Sequence, residues 1–246
     1  MSFKDHFSRQ ADAYSRYRPE YPAALVDFVV AQAPGRALAV DCATGNGQAA
    51  VALAPRFEAV LAVDASRSQL ARAQRNPRVH YAASLAEQLP LRSGTVELVV
   101  AAQAAHWFRF DAFQAECRRV LVPGGVVACW TYEKFSVDPE VDAIVDEFYT
   151  ETIGRYWPAE RRYVEAGYRT LPFPWDEVPA PVFVLETDWA LEQLMGYLGT
   201  WSAVQRYKDD RGHDPLPALE PRIAPHWPPG GTRRLRWPIH LRLGRA

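Results

Sequence analysis

The sequence predicts an α/β fold built on a doubly wound, mainly parallel sheet, and three observations carry that prediction. The stretch from Ala37 to Gln48, ALAVDCATGNGQ, runs as a short apolar strand to Asp41 and turns through Ala43, Gly45 and Gly47 into the helix-like AAVALAPRF. A second apolar run, AVLAVD, closes on Asp64, nineteen residues beyond Gly45. By Trp130 strand-like and helix-like segments have alternated five times, a pattern that right-handed crossovers wind into one sheet. The glycine turn presents backbone N–H groups that have no intrahelical partner, open to a ligand. Two glycines alone fit an ordinary tight turn. Asp64 argues for more, because an acid after the second strand of such a unit is placed to accept hydrogen bonds from both hydroxyls of a ribose.

The elements follow in order. Phe3 to Ala33 holds two helical patterns around Arg18-Pro19-Glu20-Tyr21-Pro22, where the prolines stop the first helix and open the second. Phe3, Phe7, Ala11 and Tyr14 share one face of the first, either as a packing face or as a lid that points Tyr14 and Arg18 into a site. Ser68 to Arg75 reads as a helix capped by Ser66, and Val79 to Ala83 as a third strand. Val96 to Ala102 is nearly all apolar, as a central parallel strand covered on both faces should be, and leads into Gln103 and His106-Trp107-Phe108. Asp111 to Leu121 is an amphipathic helix, and Pro123-Gly124-Gly125 introduces a fifth strand, Val126 to Trp130.

Beyond Thr131 prolines and aromatics become frequent. Val141 to Tyr156 and Pro158 to Tyr168 read as helices, Leu171 to Pro181 as a loop, Val182 to Asp188 as a sixth strand and Leu191 to Tyr207 as a helix. Lys208 to Thr232 reads mostly as loop, and Leu235 to Leu243 as the last strand, where Pro238 favours an edge position or a bulge.

At 246 residues the chain suffices for one large α/β domain with a sizeable core. Its expected parts are a helical lid (1–34), a core (35–131), substrate-side helices and loops with the sixth strand (132–234) and the final strand (235–246). A net charge of −1 gives no global pull toward nucleic acid or an anionic membrane, so neither is an expected partner. Positive charge is almost all arginine, with lysine only at Lys4, Lys134 and Lys208. Cys42, Cys117 and Cys129 are too few and too scattered for a disulfide framework, form no C-x-x-C pair, and read as small core residues. No metal site is expected. The first residues lack an apolar signal region and no later run approaches about eighteen apolar residues, so a soluble cytoplasmic protein is expected, as a monomer or homodimer.

Several motifs together resemble the class I S-adenosylmethionine-dependent methyltransferases, and within them the small-molecule branch. They are Asp41 with the following A-x-G-x-G, Asp64 after the second strand, Ala86-Glu87-x-Leu89-Pro90 after the third, and Val120-Leu121-x-Pro123-Gly124-Gly125 before the fifth. A weaker likeness to the trans-aconitate methyltransferase-like subgroup spans nearly the whole chain. It rests on Phe7-x-x-x-Ala11-x-x-Tyr14-x-x-x-Arg18-Pro19-x-Tyr21-Pro22, His106-Trp107-Phe108, Tyr197-Leu198-x-Thr200-Trp201-Ser202-Ala203-Val204 and Leu241-x-Leu243-Gly244-Arg245. That likeness does not fix a substrate.

The resemblance implies a Rossmann-like sheet, mostly parallel with an antiparallel final strand, and S-adenosylmethionine as cofactor. It implies that Asp64 holds the ribose, that Gly45 and Gly47 let backbone close around the methionine end, and that Ala65, Leu85 and Ala86 surround the adenine. Gln103 falls on the sulfonium side, beyond the carboxyl end of its strand, with Tyr14 and Arg18 reaching in from the lid. Asp41 either faces the cofactor's amino group or caps the neighbouring helix. Two positions depart from the family pattern. Ala43 stands where glycine is usual, so the turn must hold a negative φ there or accept a methyl group near the cofactor. Ser84-Leu85 lacks the acidic residue that meets the adenine in many relatives.

In-line transfer of a methyl group needs alignment and exclusion of water, and a base only if the acceptor is protonated. His106, three residues after Gln103, is the candidate base or acceptor-binding group. Its plainer role is a histidine hydrogen-bonded beneath the lid. Trp107, Trp130, Tyr132, Trp201 and Tyr207 are the candidate walls of an acceptor pocket, against the plainer reading of aromatic core. The expected reaction is methylation of a small molecule at a carboxylate or hydroxyl oxygen. Two alternatives stand beside it. Gly45-x-Gly47-x-x-Ala50 also satisfies a relaxed dinucleotide fingerprint, as in an NAD(P)-dependent oxidoreductase, and the same fold can serve a non-catalytic binding protein.

Overall fold

The apolar runs become neighbours in an eight-stranded sheet in the computed structural model, which describes residues 17–246. The strands are β1 (Leu38–Cys42), β2 (Ala59–Asp64), β3 (Val79–Ala83), β4 (Val96–Ala102), β5 (Leu121–Tyr132), β6 (Asp176–Glu177), β7 (Phe183–Trp189) and β8 (Arg233–Arg245). Their order is β3-β2-β1-β4-β5-β8-β6, with β7 also paired to β8. The first five run parallel, whereas β8 is antiparallel to β5, β6 and β7. The chain reverses direction of travel across the sheet between β1 and β4, which opens a crevice beyond their carboxyl ends.

Alternation along the strands explains why helices cover both faces. Ala39, Val60, Ala62, Leu98, Val100, Val126 and Ala128 point to the layer containing α1 (Ala23–Gln32) and α2 (Gln48–Leu53). Val40, Cys42, Val63, Val99, Ala101, Val127 and Cys129 point the other way, against Phe113, Cys117 and Val120 of α4 (Phe110–Val120). Strands covered on both sides have no polar face to spare, which is why they read as continuous apolar runs. All three cysteines are buried and unpaired, and burial pushes the Cys129 thiol up to about 12.

Several elements differ from expectation. The helix expected over Ser68 to Arg75 is only α3 (Arg67–Leu70), capped by Ser66, because Gln74 donates its backbone N–H to Asn46 O at 2.9 Å and is drawn toward the glycine turn. Pro123-Gly124-Gly125 lies inside β5. Val96 pairs with Leu121 and Leu98 with Val126, so the intervening residues bulge out at Gly124, whose φ is 73°. The helix expected over Val141 to Tyr156 is α5 (Pro139–Glu147) followed by a wide turn over Phe148–Thr152 and a tight one over Gly154–Tyr156. The next expected helix shrinks to α6 (Arg161–Glu165).

Leu191 to Tyr207 is divided into α7 (Leu191–Gly199) and α8 (Ser202–Arg211). Buried Thr200 turns its hydroxyl back onto Tyr197 O at 2.7 Å, and Trp201 is extended. The segment read as loop contains α9 (Leu216–Ile223), masked in the sequence by Pro215, Pro217 and Pro221. Pro215 and Pro217 stand at the cap and in the first turn, where N–H groups lack partners anyway, whereas Pro221 lies inside the helix. β8 is flanked on both sides rather than at an edge. Arg236 exchanges two backbone bonds with Ser136, and the β5 ladder resumes at Ile239↔Tyr132 with one extra residue on the β5 side, so Pro238 lies opposite a bulge. The first expected helix, with Phe3, Phe7, Ala11 and Tyr14, lies outside the described residues. No helix among the described residues is long and apolar enough to cross a membrane.

Candidate active site

The turn after β1 and the end of β2 are tied together by Asp64. Its Oδ2 accepts the Gly45 N–H at 2.8 Å and its Oδ1 accepts the Ser66 N–H at 2.8 Å. Gly45 has φ 57°, and a Cβ added there would meet no atom of the described residues within 4 Å. Gly47 has φ 88° and is fixed for a different reason: a Cβ there would collide with the Tyr81 hydroxyl. Ala43 takes φ 53°, so the turn accepts the methyl group in the left-handed region rather than holding a negative φ.

Asp41 is 1% exposed and faces α2, where its Oδ2 accepts from Ala50 N–H at 3.0 Å and from Thr44 Oγ1–H at 2.5 Å. That is the helix-capping role. Its other oxygen, Oδ1, is buried without a hydrogen-bond partner among the described residues. Burial pushes this carboxyl up to about 7; the Thr44 and Ala50 bonds pull it back, and the charge of Asp64 adds to the rise. Across the crevice Ala86 is buried, while Leu85 is 42% exposed, an apolar side chain left facing outward beside the end of β3.

At the other side of the crevice Gln103 has φ 56°, a strained conformation at the end of β4. Its amide is clamped: Nε2–H donates to Tyr132 O at 3.0 Å, and Oε1 accepts from Thr131 Oγ1–H at 2.5 Å. Gln103 forms part of a cavity of about 590 Å³, counted with its open mouth, lined also by Arg18, His106, Trp107, Tyr132, Glu133, Trp157, Arg161, Tyr197 and Trp201. Arg18 donates from Nη1 to Tyr132 Oη at 3.1 Å and stacks over Tyr197 at 5.2 Å, while its carbonyl accepts from Gln48 Nε2 at 3.2 Å. It therefore spans the glycine turn and the cavity.

His106 is 8% exposed, and its Nδ1 shares a 2.8 Å hydrogen bond with the Tyr168 hydroxyl. Burial, reinforced by the positive charge of Arg161, pushes the imidazole down to about 3. It is neutral and a weak base throughout the physiological range. Glu133 is occupied by His240, with 2.7 Å between Oε1 and Nε2.

Of the aromatic residues singled out from the sequence, Trp107, Tyr132 and Trp201 line the cavity. Trp130 and Tyr207 do not. Trp130 is 1% exposed and packs edge-on against Tyr21, with ring centres 5.4 Å apart. Tyr207 lies against Tyr156 at 5.3 Å and reaches His213 Nε2 at 3.1 Å. Trp157, Arg161, Tyr197 and Glu133 enter instead. Tyr197 belongs to the Tyr197-Leu198-x-Thr200-Trp201 motif and was findable there, whereas Trp157 and Arg161 carry no local signal. No group of side chains suited to a metal ion occurs among the described residues.

This geometry agrees with what the chain is similar to. A family described as a methyltransferase domain matches residues 40–129. A Dictyostelium discoideum protein named as a candidate methyltransferase is 32% identical over 222 residues, covering 89% of this chain and 84% of that protein. The solved structure of a candidate type II methyltransferase from Anaeromyxobacter dehalogenans superposes with a TM-score of 0.86 at 47% identity, covering 93% of this chain and 98% of that one. A malonyl-[acyl-carrier protein] O-methyltransferase from Geobacter sulfurreducens is 31% identical over 124 residues, 48% of this chain and 46% of that protein.

Proposed function

The chain belongs to the class I S-adenosylmethionine-dependent methyltransferases, and from that premise we propose that it methylates a small-molecule acceptor at oxygen in the cavity beside Gln103. The nicotinamide-dependent and non-catalytic readings of the glycine turn give way to that family. When bound, S-adenosylmethionine supplies an electrophilic methyl group on a sulfonium. The residues present fit it. Among the described residues nothing crowds the outer face of Gly45, which leaves room against backbone, Asp41 Oδ1 has no hydrogen-bond partner and suits a cationic amino group, and exposed Leu85 offers an apolar flank for adenine.

In this reading Asp64 holds the ribose, Gly45 and Gly47 admit the methionine end, and Ala65, Leu85 and Ala86 surround the adenine. Gln103 and Arg18 separate the cofactor from the acceptor. Tyr14, expected near the cofactor, lies outside the described residues. Trp107, Tyr132 and Trp201 serve as walls that orient the acceptor and exclude water, which is where the rate of an in-line displacement is gained.

The observation that carries the choice of oxygen is the state of His106. A buried imidazole pushed down to about 3 is a poor general base near neutral pH. Glu133, the carboxylate lining the cavity, is engaged by His240. An acceptor that arrives already ionised needs no base, so a carboxylate is favoured over a hydroxyl, and His106 keeps a hydrogen-bonding role. The O-methyltransferase named among the relatives supports the same atom type. Incubation with methyl-labelled donor and a mixture of small organic acids tests this directly. The expected product carries label that mild alkali releases as methanol, the signature of a carboxyl ester. Alkali-stable label would place the methyl group elsewhere and reject the assignment.

A further inference from the structure

Arg161 is held in the cavity in an unusual way. Its guanidinium stacks over Trp157 at 4.6 Å and over Tyr149 at 5.5 Å, and its Nε–H donates to the Tyr149 hydroxyl at 2.8 Å. Trp157 in turn packs against Trp201 at 5.6 Å. Tyr149 and Trp157 lie against each other, with ring centres 4.8 Å apart, so these contacts hold the guanidinium from one side and by its Nε edge. Its Nη1 and Nη2 make no hydrogen bond among the described residues. The nearest acid is Glu165, a half-exposed side chain whose Oε1 stands 3.8 Å from Nε rather than from the terminal nitrogens. The acidic cavity residue, Glu133, is turned to His240.

A guanidinium fixed by aromatic stacking has already lost the rotational freedom that binding would otherwise cost, and its unused fork matches the two oxygens of a carboxylate. Low dielectric in a cavity walled by Trp107, Trp157, Trp201 and Tyr197 strengthens that pairing. The same walls offer aromatic surfaces against which a flat acceptor body can lie. Charge near His106 points the same way: Arg161 keeps the cavity positive, and the neutral imidazole does not add a competing ion.

We infer that Arg161 is the specificity-determining residue of the acceptor site, gripping the carboxylate of a planar, conjugated or aromatic acid. The inference rests on the methyltransferase reading of the cavity and adds to it the residue that recognises the acceptor and the shape of what is recognised. Arg161 acts on binding and orientation; it exchanges no proton and forms no covalent bond.

The test uses cinnamate as probe, with cinnamamide as its uncharged match and phenyl phosphate as a different anion. Binding to the full chain is measured by calorimetry with and without S-adenosylhomocysteine. Cinnamate is expected to bind at least tenfold more tightly than cinnamamide and more tightly than phenyl phosphate. Arg161→Gln should abolish the acid-over-amide preference while S-adenosylhomocysteine affinity stays within twofold. Arg161→Lys, which keeps charge but not the fork and guards against loss of packing in the glutamine variant, should retain only part of the preference. Equal binding of acid and amide, no binding of the acid, a stronger phosphate, or a full preference in either variant overturns the assignment. Failure of S-adenosylhomocysteine to bind the native chain would instead strike the methyltransfer reading, because the acid and amide comparison without it still decides the role of Arg161.

Discussion

Replacing Asp41 by asparagine isolates the cost of a buried charge at the heart of the glycine turn. The carboxyl is raised from its ordinary 3.8 to about 7, burial being the largest cause. That span corresponds to about 4 kcal/mol against folding once pH is well above 7. The sign follows from proton uptake. Below about pH 4 the group is protonated in both states and contributes nothing. Between about 4 and 7 the unfolded chain is ionised while the folded one keeps its proton, so native stability falls by roughly 1.4 kcal/mol per pH unit, and above 7 the loss is constant.

Asparagine keeps a carbonyl for Thr44 and Ala50 but buries an amide without an acceptor, at a cost of about 1–3 kcal/mol. The stability of Asp41→Asn relative to the native chain should therefore improve by about 3 kcal/mol from pH 5 to pH 8. For a chain of this length that is a relative rise in melting temperature of roughly 10 °C. Parallel thermal or urea unfolding of the two proteins across that range measures it. A difference that stays constant with pH would refute the buried, charge-penalised state of Asp41.

Other outcomes follow from the same turn and cavity. Ala43→Gly should stabilise the protein by about 1 kcal/mol, since relief of the left-handed strain, roughly 1–2 kcal/mol, is partly offset by the freer unfolded chain; a lower melting temperature would contradict the strain. Gly47→Ala should destabilise by about 2–3 kcal/mol through its positive φ and the Tyr81 hydroxyl. Combining it with Tyr81→Phe should recover part of that loss, and purely additive effects in a double-mutant cycle would dissociate the two residues. Initial rates between about pH 5 and 9 should show no ionisation belonging to His106. An inflection near neutrality that disappears in His106→Asn would restore it as a base.

The parallel core was legible because its physics is local. A strand covered on both faces must be apolar throughout, so β4 could be read to its last residue, and Asp41 and Asp64 marked the strand ends where ligands gather. Resolution failed where the chain's path depends on distant partners. α3 is short because Gln74 is captured by Asn46, a bond across 28 residues. α7 and α8 separate where the Thr200 hydroxyl competes for a backbone carbonyl, and α9 was hidden by Pro215 and Pro217 at its start and Pro221 within it. The cavity shows the same division. Gln103, His106, Trp107, Tyr132 and Trp201 follow strand ends or a motif. Trp157 and Arg161 arrive through a segment without periodicity, and Trp130 shows that an aromatic residue at a promising strand end can be consumed by the core.

Calorimetric titration of S-adenosylhomocysteine into the native protein and into Asp64→Asn tests the central claim, that the turn between β1 and α2 is the methyl-donor site. Two hydrogen bonds to a charged acceptor are worth about 3–4 kcal/mol together, so the variant should bind at least a hundredfold more weakly while its melting temperature shows the fold retained. Equal affinity in the two proteins, or no binding by the native one, would contradict the assignment.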